Sequence, residues 1–542
     1  MRKFAINAAL LVVCAAGAQQ RPAYLMEGLS SLHHPVSTKN AEAQQFFDQG
    51  LRLVYAFNHD EAARSFHRAA ELDPNLAMAW WGVALAVGPN YNLPVDPDHE
   101  KMAVEAVSRA KSLSADATPI EKVYIDAMAQ RFSADPKPDY HRLDVNYSKA
   151  MHDLTLQYPD DLDAATLYAD SMMNLRPWKL WNADGTPAEG TKEIVDTLES
   201  VLRRDPNHIG AMHLYIHAVE ASPNPERALP YAERIPALAP AAGHLVHMPA
   251  HIYERTGNFD GARVQNIAAA RADEAYAAAS GSQGMYMMMY YSHNLHFGAV
   301  SASMQGHCAD AKMQADRLAD NLRPIAGDKN MGPIVEPFLG MQYALAARCN
   351  RWDDLLAMSA PQAQTNALKA IWLYSRGLAL AARGKLDDAE AMHKQLVAIE
   401  GATPQDEIFM PPVENHSRQI YQIAGDVLGA RIAAAKGDRD GSIALLRDAV
   451  VAQDVLLYNE PADWYYPVRE SLGGMLLQTG DAKGAERVFR DDLERNPRNP
   501  RSLFGLAEAL TSQHRDYDAS WVRKQFEAAW QGADVTLKVE DL

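Results

Sequence analysis

Residues 43–74 read AQQFFDQGLRLVYAFNHDEAARSFHRAAELDP. Counted from Ala43, the residues Phe46, Gly50, Leu53, Ala62, Phe66, Ala69 and Pro74 fall at positions 4, 8, 11, 20, 24, 27 and 32. Offsets of this kind resemble those of known repeats built from two antiparallel helices, A and B, that approach closely where the side chains are small. The pattern returns along the chain. Gly473, Leu476, Gly480, Ala485, Phe489 and Pro497 repeat nearly all of it, and Gly384 with Ala389 and Gly437 with Ala449 repeat the turn and the small residue. Weaker copies start near Ala77, Leu162, Ile209, Gly243, Ser292 and Pro500, for about ten units with a period near 34 residues.

This spacing resembles the tetratricopeptide (TPR) repeat. The resemblance implies an all-α fold: a right-handed α-solenoid of about ten helical hairpins with a concave groove lined by the A helices. Several connections are too long for the frame. VGPNYNLPVDPDHE (87–100) and RPWKLWNADGTPAEGTKE (176–193) read as loops from their Pro, Gly and Asn content, and 323–337 and 400–417 also read as irregular. The expected organisation is a signal segment at 1–18, an extension at 19–40, a first array at 41–322, a connecting segment at 323–337, a second array at 338–535 and a tail at 536–542.

The repeat frame gives meaning to a set of histidines. With Ile209, Gly243 and Ser292 at position 1 of three successive units, His213 and His217 take positions 5 and 9. His244, His247 and His251 take positions 2, 5 and 9, and His293 and His296 take positions 2 and 5. Seven of nine equivalent slots are histidine, with Gly210 and Val300 the exceptions. At about 100° per residue these slots lie away from the core positions, on the face that lines a TPR groove. Neutral imidazole is the commonest metal ligand. The pattern therefore points to a transition metal (zinc, copper or iron) held by His213, His217, His244, His247, His251, His293 and His296. Glu220 and Glu254, both at position 12, are candidate ligands or general bases. Asp170, at position 9 of the unit from Leu162, is a candidate partner behind the ligands. Met289 precedes His293 by one helical turn, and a thioether there would favour copper. The plainer reading of Met287, Met288 and Met289 is core filling, and Tyr215 and Tyr253 fall at core positions. His33, His34, His59, His67, His99, His152 and His307 read as single surface or core residues. A metal-free groove that uses imidazoles as hydrogen-bond donors is the alternative.

Charge and termini narrow the partners. A formal charge of −17 and no basic stripe argue against nucleic acid. The start MRKFAINAALLVVCAAGAQQ reads as an export signal cut before Gln19, which implies a periplasmic or secreted protein. Its apolar run is too short to span a bilayer. Lipid anchoring at Cys14 is disfavoured by the bulky Val13. Cys308 and Cys349 remain after cleavage, as a disulfide or as two thiols. No HExxH, P-loop, GxGxxG, GxSxG or CxxC motif is present.

The blocks IHAVEAS (216–222), GHLVHMPAHIY (243–253) and YYSHNLHF (290–297) resemble a family of exported bacterial TPR proteins. FNHDEAARSFHRAAELDPNLAMAWWGVALAVGPNYN (57–92) and YNEPADWYYPVRESLGGMLL (458–477) match the same family. The resemblance implies an architecture and no established activity. The leading expectation is an exported scaffold that binds a protein or peptide in its groove and a transition metal at the histidines. The alternatives are a metal-dependent hydrolase or oxidase that uses the same cluster, and a metal-free peptide-binding module.

Overall fold

The computed structural model describes residues 21–542; the expected signal segment, with Cys14, lies outside the described residues. Among the described residues the fold is all-α, and strand character is limited to isolated bridges such as Trp181–Pro187 and Ile408–His416. The chain divides into two compact units. The first holds residues up to Ile252 and Ala268–Tyr291, and the second holds Tyr253–Ile267 and Ser292–Leu542. Segment 323–337 lies inside the second unit, and it is not irregular throughout, because a helix runs over Gly332–Leu339. No described helix is long and apolar enough to cross a membrane.

The first unit begins with α1 (Ala41–Tyr55), α2 (His59–Leu72), α3 (Ala77–Val87), α4 (Pro97–Leu113) and α5 (Pro119–Met128). It continues with α6 (Tyr140–Gln157), α7 (Leu162–Met173), α8 (Thr191–Arg204) and α9 (Ile209–Val219). Sequential helices pack on one another, and α1 also packs on α3, as stacked hairpins require. Local chemistry sets the boundaries. The Asn40 side chain accepts from the Glu42 and Ala43 amides to start α1, and Asn58 accepts from the Glu61 amide to start α2.

The hairpins pack as the sequence spacing anticipates. Phe66 of α2 seats between Gly50 of α1 and Gly82 of α3. A Cβ on those glycines would lie 2.6 and 2.3 Å from its ring. In the second unit Phe489 seats in the same way between Gly473 and Gly505, with Cβ approaches of 2.4 and 2.1 Å. One large side chain between two glycines thus keys each hairpin to the next, and an added methyl has nowhere to go.

The second unit stacks the hairpins Ser292–Met304/Cys308–Leu322, Asn366–Ala382/Leu386–Ala402, Ser417–Ala435/Arg439–Asp454, Val468–Gln478/Ala482–Arg495 and Pro500–Ser512/Asp516–Ala529. Cys308 and Cys349 are joined in a disulfide with 6.0 Å between their Cα atoms and a sequence separation of 41. Closing a loop of that length stabilises a fold by about 2–4 kcal/mol, chiefly through the unfolded chain. Cys349→Ala is therefore expected to lower the stability of this unit by about that amount. Calorimetry should show the same shift when the wild type is treated with dithiothreitol, and no further shift when the variant is.

Candidate metal centre

Three helical segments bring the histidines of the first unit: α9, the short helix Gly243–His247 and the first turn of the helix Pro249–Thr256, up to Ile252. The first two start at the residues placed at position 1 of the frame. The side chains of His213, His217 and His244 are 0, 3 and 2% exposed, and each offers a ring nitrogen within 4.8 Å of the others.

The hydrogen bonds decide which nitrogens face inward. His213 Nδ1 sits 2.7 Å from the Tyr55 carbonyl oxygen. A carbonyl only accepts, so Nδ1 carries the proton and Nε2 presents a lone pair. His217 Nδ1 lies 2.8 Å from Glu220 Oε1, and His251 Nδ1 lies 2.7 Å from Glu220 Oε2. The carboxylate fixes both rings in the same tautomer, and their Nε2 atoms are left as donors to an ion. This is the usual construction behind metal-binding histidines: the far nitrogen donates to a carbonyl or carboxylate, which orients the ring and raises its basicity. His213 Nε2 and His244 Nε2 are 3.0 Å apart, and His247 Nε2 and His251 Nε2 are 2.7 Å apart. His244 and His247 therefore donate from Nε2 to the lone pairs of His213 and His251. Were an ion bound, His244 and His247 would carry the proton on Nδ1 and offer Nε2 beside those of His213 and His251.

The surroundings favour a neutral ring at His213. Burial, and then the neighbouring His217, hold His213 well below the ordinary imidazole range. Phe57 packs edge-on to His213, with 4.3 Å between ring centroids, and stacks over His244 at 5.4 Å and His217 at 6.0 Å. Tyr290 meets the His244 ring at 4.8 Å from a π-helical turn, Met287–Tyr291. The two long loops also contribute. Tyr91 and Trp178 stack on each other and face His217, at 5.7 and 6.3 Å. Met289 packs against the hydrophobic core of this unit.

His293 and His296 stand on Ser292–Met304 in the second unit. His296 Nε2 lies 3.1 Å from the Tyr465 hydroxyl, and burial pushes its pKa down to about 3. Glu254 also belongs to the second unit and accepts from the Ser301 hydroxyl at 2.6 Å. Asp170 is in the first unit, and burial raises its carboxyl to about 6. With Tyr55, Phe57, His59, Arg131 and His213 it lines a cavity of about 20 Å³, room for about one water. His34 is not an isolated filler. His59 faces this cavity, and His34 Nδ1 lies 2.8 Å from Asp163, which also accepts from the Tyr55 hydroxyl at 2.8 Å and pairs with His208 at 3.2 Å.

Tyr55 links that hub to the histidines, since its hydroxyl is held by Asp163 while its carbonyl holds His213. Gly210 makes room for its ring: a Cβ there would lie 2.5 Å from Tyr55 Cδ1. The absence of histidine from this slot thus has a steric cause. Gly210→Ala is expected to destabilise the unit by about 1–3 kcal/mol through overpacking and to shift the Tyr55 carbonyl. Parallel urea unfolding and metal titration would register both effects. At Gly243 the obstacle is Asp273, whose Oδ1 would lie 1.9 Å from an added Cβ. Asp273 accepts from the Tyr286 hydroxyl at 2.8 Å, and that hydroxyl accepts in turn from the His244 amide at 3.2 Å.

The stacked hairpins define a protein of TPR-like architecture. No family model matches the sequence, and no curated protein matches it at a significant level. Among solved structures the chain is similar to the TPR domain of P58(IPK), with 12% identity, a TM-score of 0.24, and 88% of this chain and 99% of that chain covered. It is similar to the APC/C hetero-tetramer Cut9–Hcn1, with 12% identity, a TM-score of 0.32, and 91% and 78% covered. It is also similar to yeast Tom70, with 11% identity, a TM-score of 0.28, and 90% and 93% covered. At such scores the likeness says nothing of the site.

Proposed function

We propose that the first unit binds a transition metal through His213, His217 and His244, with His247 and His251 forming a second pair of donors. The protein in this reading is an exported TPR-like scaffold that presents its groove to a protein or peptide. One observation carries the metal reading. The far nitrogens of His213, His217 and His251 are each tied to an oxygen that can only accept, so their Nε2 atoms are held ready as ligands inside an aromatic wall. A cluster of buried imidazoles serving only as hydrogen-bond donors has no need of this arrangement. Glu220 acts here as a positioning residue, because both of its oxygens are committed to imidazole N–H groups. The disulfide supports export to an oxidising compartment.

The test is elemental analysis of untagged protein by plasma mass spectrometry, before and after dialysis against a mixture of zinc, copper and iron salts. Stoichiometric metal is expected in the wild type and none at this centre in the triple variant His213→Ala/His217→Ala/His244→Ala. A wild type that stays empty in every salt overturns the reading.

A second reading, a metal-dependent hydrolase or oxidase, is favoured by the ligand number. Three protein ligands leave a coordination position open, as catalytic sites do and closed structural sites do not. Turnover that scales with metal occupancy and is lost in the same variant would establish it.

A further inference from the structure

We infer that residues 24–38 are a built-in ligand: they occupy a peptide-recognition strip on α1, where a partner's extended, cation-bearing peptide takes their place. The inference deepens the scaffold reading above by naming the kind of peptide, and it owes nothing to the metal centre. Between Arg21 and Asn40 the chain forms neither helix nor strand. Its main chain is held by side chains of the first unit instead. Gln49 accepts from the Met26 amide at 2.6 Å and donates to the Tyr24 carbonyl at 2.8 Å. Gln44 accepts from the Val36 amide at 3.0 Å and donates to the His34 carbonyl at 2.9 Å. Asp48 accepts from the His34 amide at 3.1 Å, and Arg52 donates to the Leu32 carbonyl at 2.7 Å. Gln44, Asp48 and Arg52 follow at four-residue steps, so they form one stripe of α1. From α5, Glu121 accepts from the Ser37 amide at 2.6 Å.

Bonds to amides and carbonyls do not depend on the side chains of the bound segment, so such a strip suits any extended chain. Selection comes from the walls. His33 Nδ1 donates to Asp48 at 2.7 Å, His34 Nδ1 to Asp163 at 2.8 Å and the Thr38 hydroxyl to Asp73 at 2.6 Å, and the Ser37 hydroxyl meets Glu121. The walls therefore present carboxylates from four places in the fold. A peptide with imidazoles, ammonium groups or hydroxyls at these points is matched, and an acidic one is repelled. Leu29, 2% exposed, is the one buried residue between Arg21 and Asn40. A segment with a single buried anchor opens at lower cost than the helix beneath it. Its tether gives it an effective concentration on the order of millimolar, so it excludes a free peptide while that anchor holds.

The experiment begins with hydrogen exchange on the full wild-type chain, read by mass spectrometry. Amides of 24–38 are expected to exchange at least about 100-fold faster than those of α1. A fluorescent peptide, YLMEGLSSLHHPVST, is then titrated into the wild type and into Leu29→Asp, which puts a charge at the buried anchor and lifts the segment. Binding at least about 10-fold tighter is expected in the variant. It should be lost when Gln44→Leu and Gln49→Leu are added, and weakened when the peptide carries His33→Glu and His34→Glu. If Leu29→Asp does not fold, the exchange rates of the wild type still decide. Exchange of 24–38 as slow as that of α1 overturns the inference, because the segment is then a fixed part of the fold. Light scattering that shows Leu29→Asp pairing through exchanged segments makes the occupant a second copy and overturns the partner peptide. A variant that ignores this peptide but captures others from a random library overturns the strip and leaves the scaffold reading standing. Capture of no peptide at all overturns both.

Discussion

Glu220→Gln is expected to disable one of the two groups of histidines and spare the other. Glu220 is 2% exposed and accepts two N–H donors, one on each oxygen, at 2.8 Å from His217 and 2.7 Å from His251. Glutamine has nearly the same shape but offers one oxygen and one NH₂ group. The oxygen can hold one imidazole in its present tautomer. The NH₂ then faces the Nδ1 of the other ring and needs an acceptor there, so that ring moves its proton to Nε2 and surrenders its lone pair. Loss of a partner behind a metal-binding histidine typically lowers affinity about 10–100-fold. Glu220→Leu removes both supports, and each charge-assisted hydrogen bond lost costs about 1.5–3 kcal/mol. Isothermal titration should therefore separate the variants: one class of sites weakened in the glutamine variant, both weakened in the leucine variant. Equal, undiminished affinity in both would show that Glu220 does not orient the ligands.

The sequence exposed the histidines through their place in the repeat. Positions 2, 5 and 9 of successive A helices are equivalent by periodicity, so a coincidence of seven histidines is visible without coordinates. The same periodicity placed the starts of α9 and of Gly243–His247 and the seats of Phe66 and Phe489. What closes the centre was not legible, because it comes from outside the repeat. Tyr55 acts through a backbone carbonyl, which no side-chain pattern reveals, and it does so from a hairpin more than 150 residues away in the chain. Tyr91 and Trp178 come from insertions whose geometry the frame does not specify. His34 reads as isolated because its partner, Asp163, is brought to it only by folding. One signal was available: Phe57 occupies position 15, where Gly257, Gly306, Gly437 and Gly480 stand in other units. A bulky residue at a glycine position is a reason to ask what its ring is needed for.

That position supplies the last prediction. Phe57 has φ +54°, the left-handed conformation that the turn imposes; Gly257, Gly306, Gly437 and Gly480 in the equivalent turns have φ of +77°, +73°, +86° and +86°. For a residue with a Cβ this costs about 1–2 kcal/mol. The ring is 4% exposed and lies against His213, His217 and His244, so burial more than offsets the strain. Phe57→Ala keeps the strained backbone and loses the ring, for an expected loss of about 3–5 kcal/mol. Phe57→Gly loses the ring but relieves the strain, and after glycine's extra chain entropy it should be more stable than the alanine variant by about 1 kcal/mol. Glycine above alanine reverses the order found inside helices. Both variants remove the wall over three ligand rings, so both should release bound metal to a competing chelator faster than the wild type. Urea unfolding gives the stability order and stopped-flow chelation gives the release rates. An alanine variant more stable than the glycine variant would show that the turn imposes no strain on Phe57. Unchanged release would show that the ring fills space without guarding the ion.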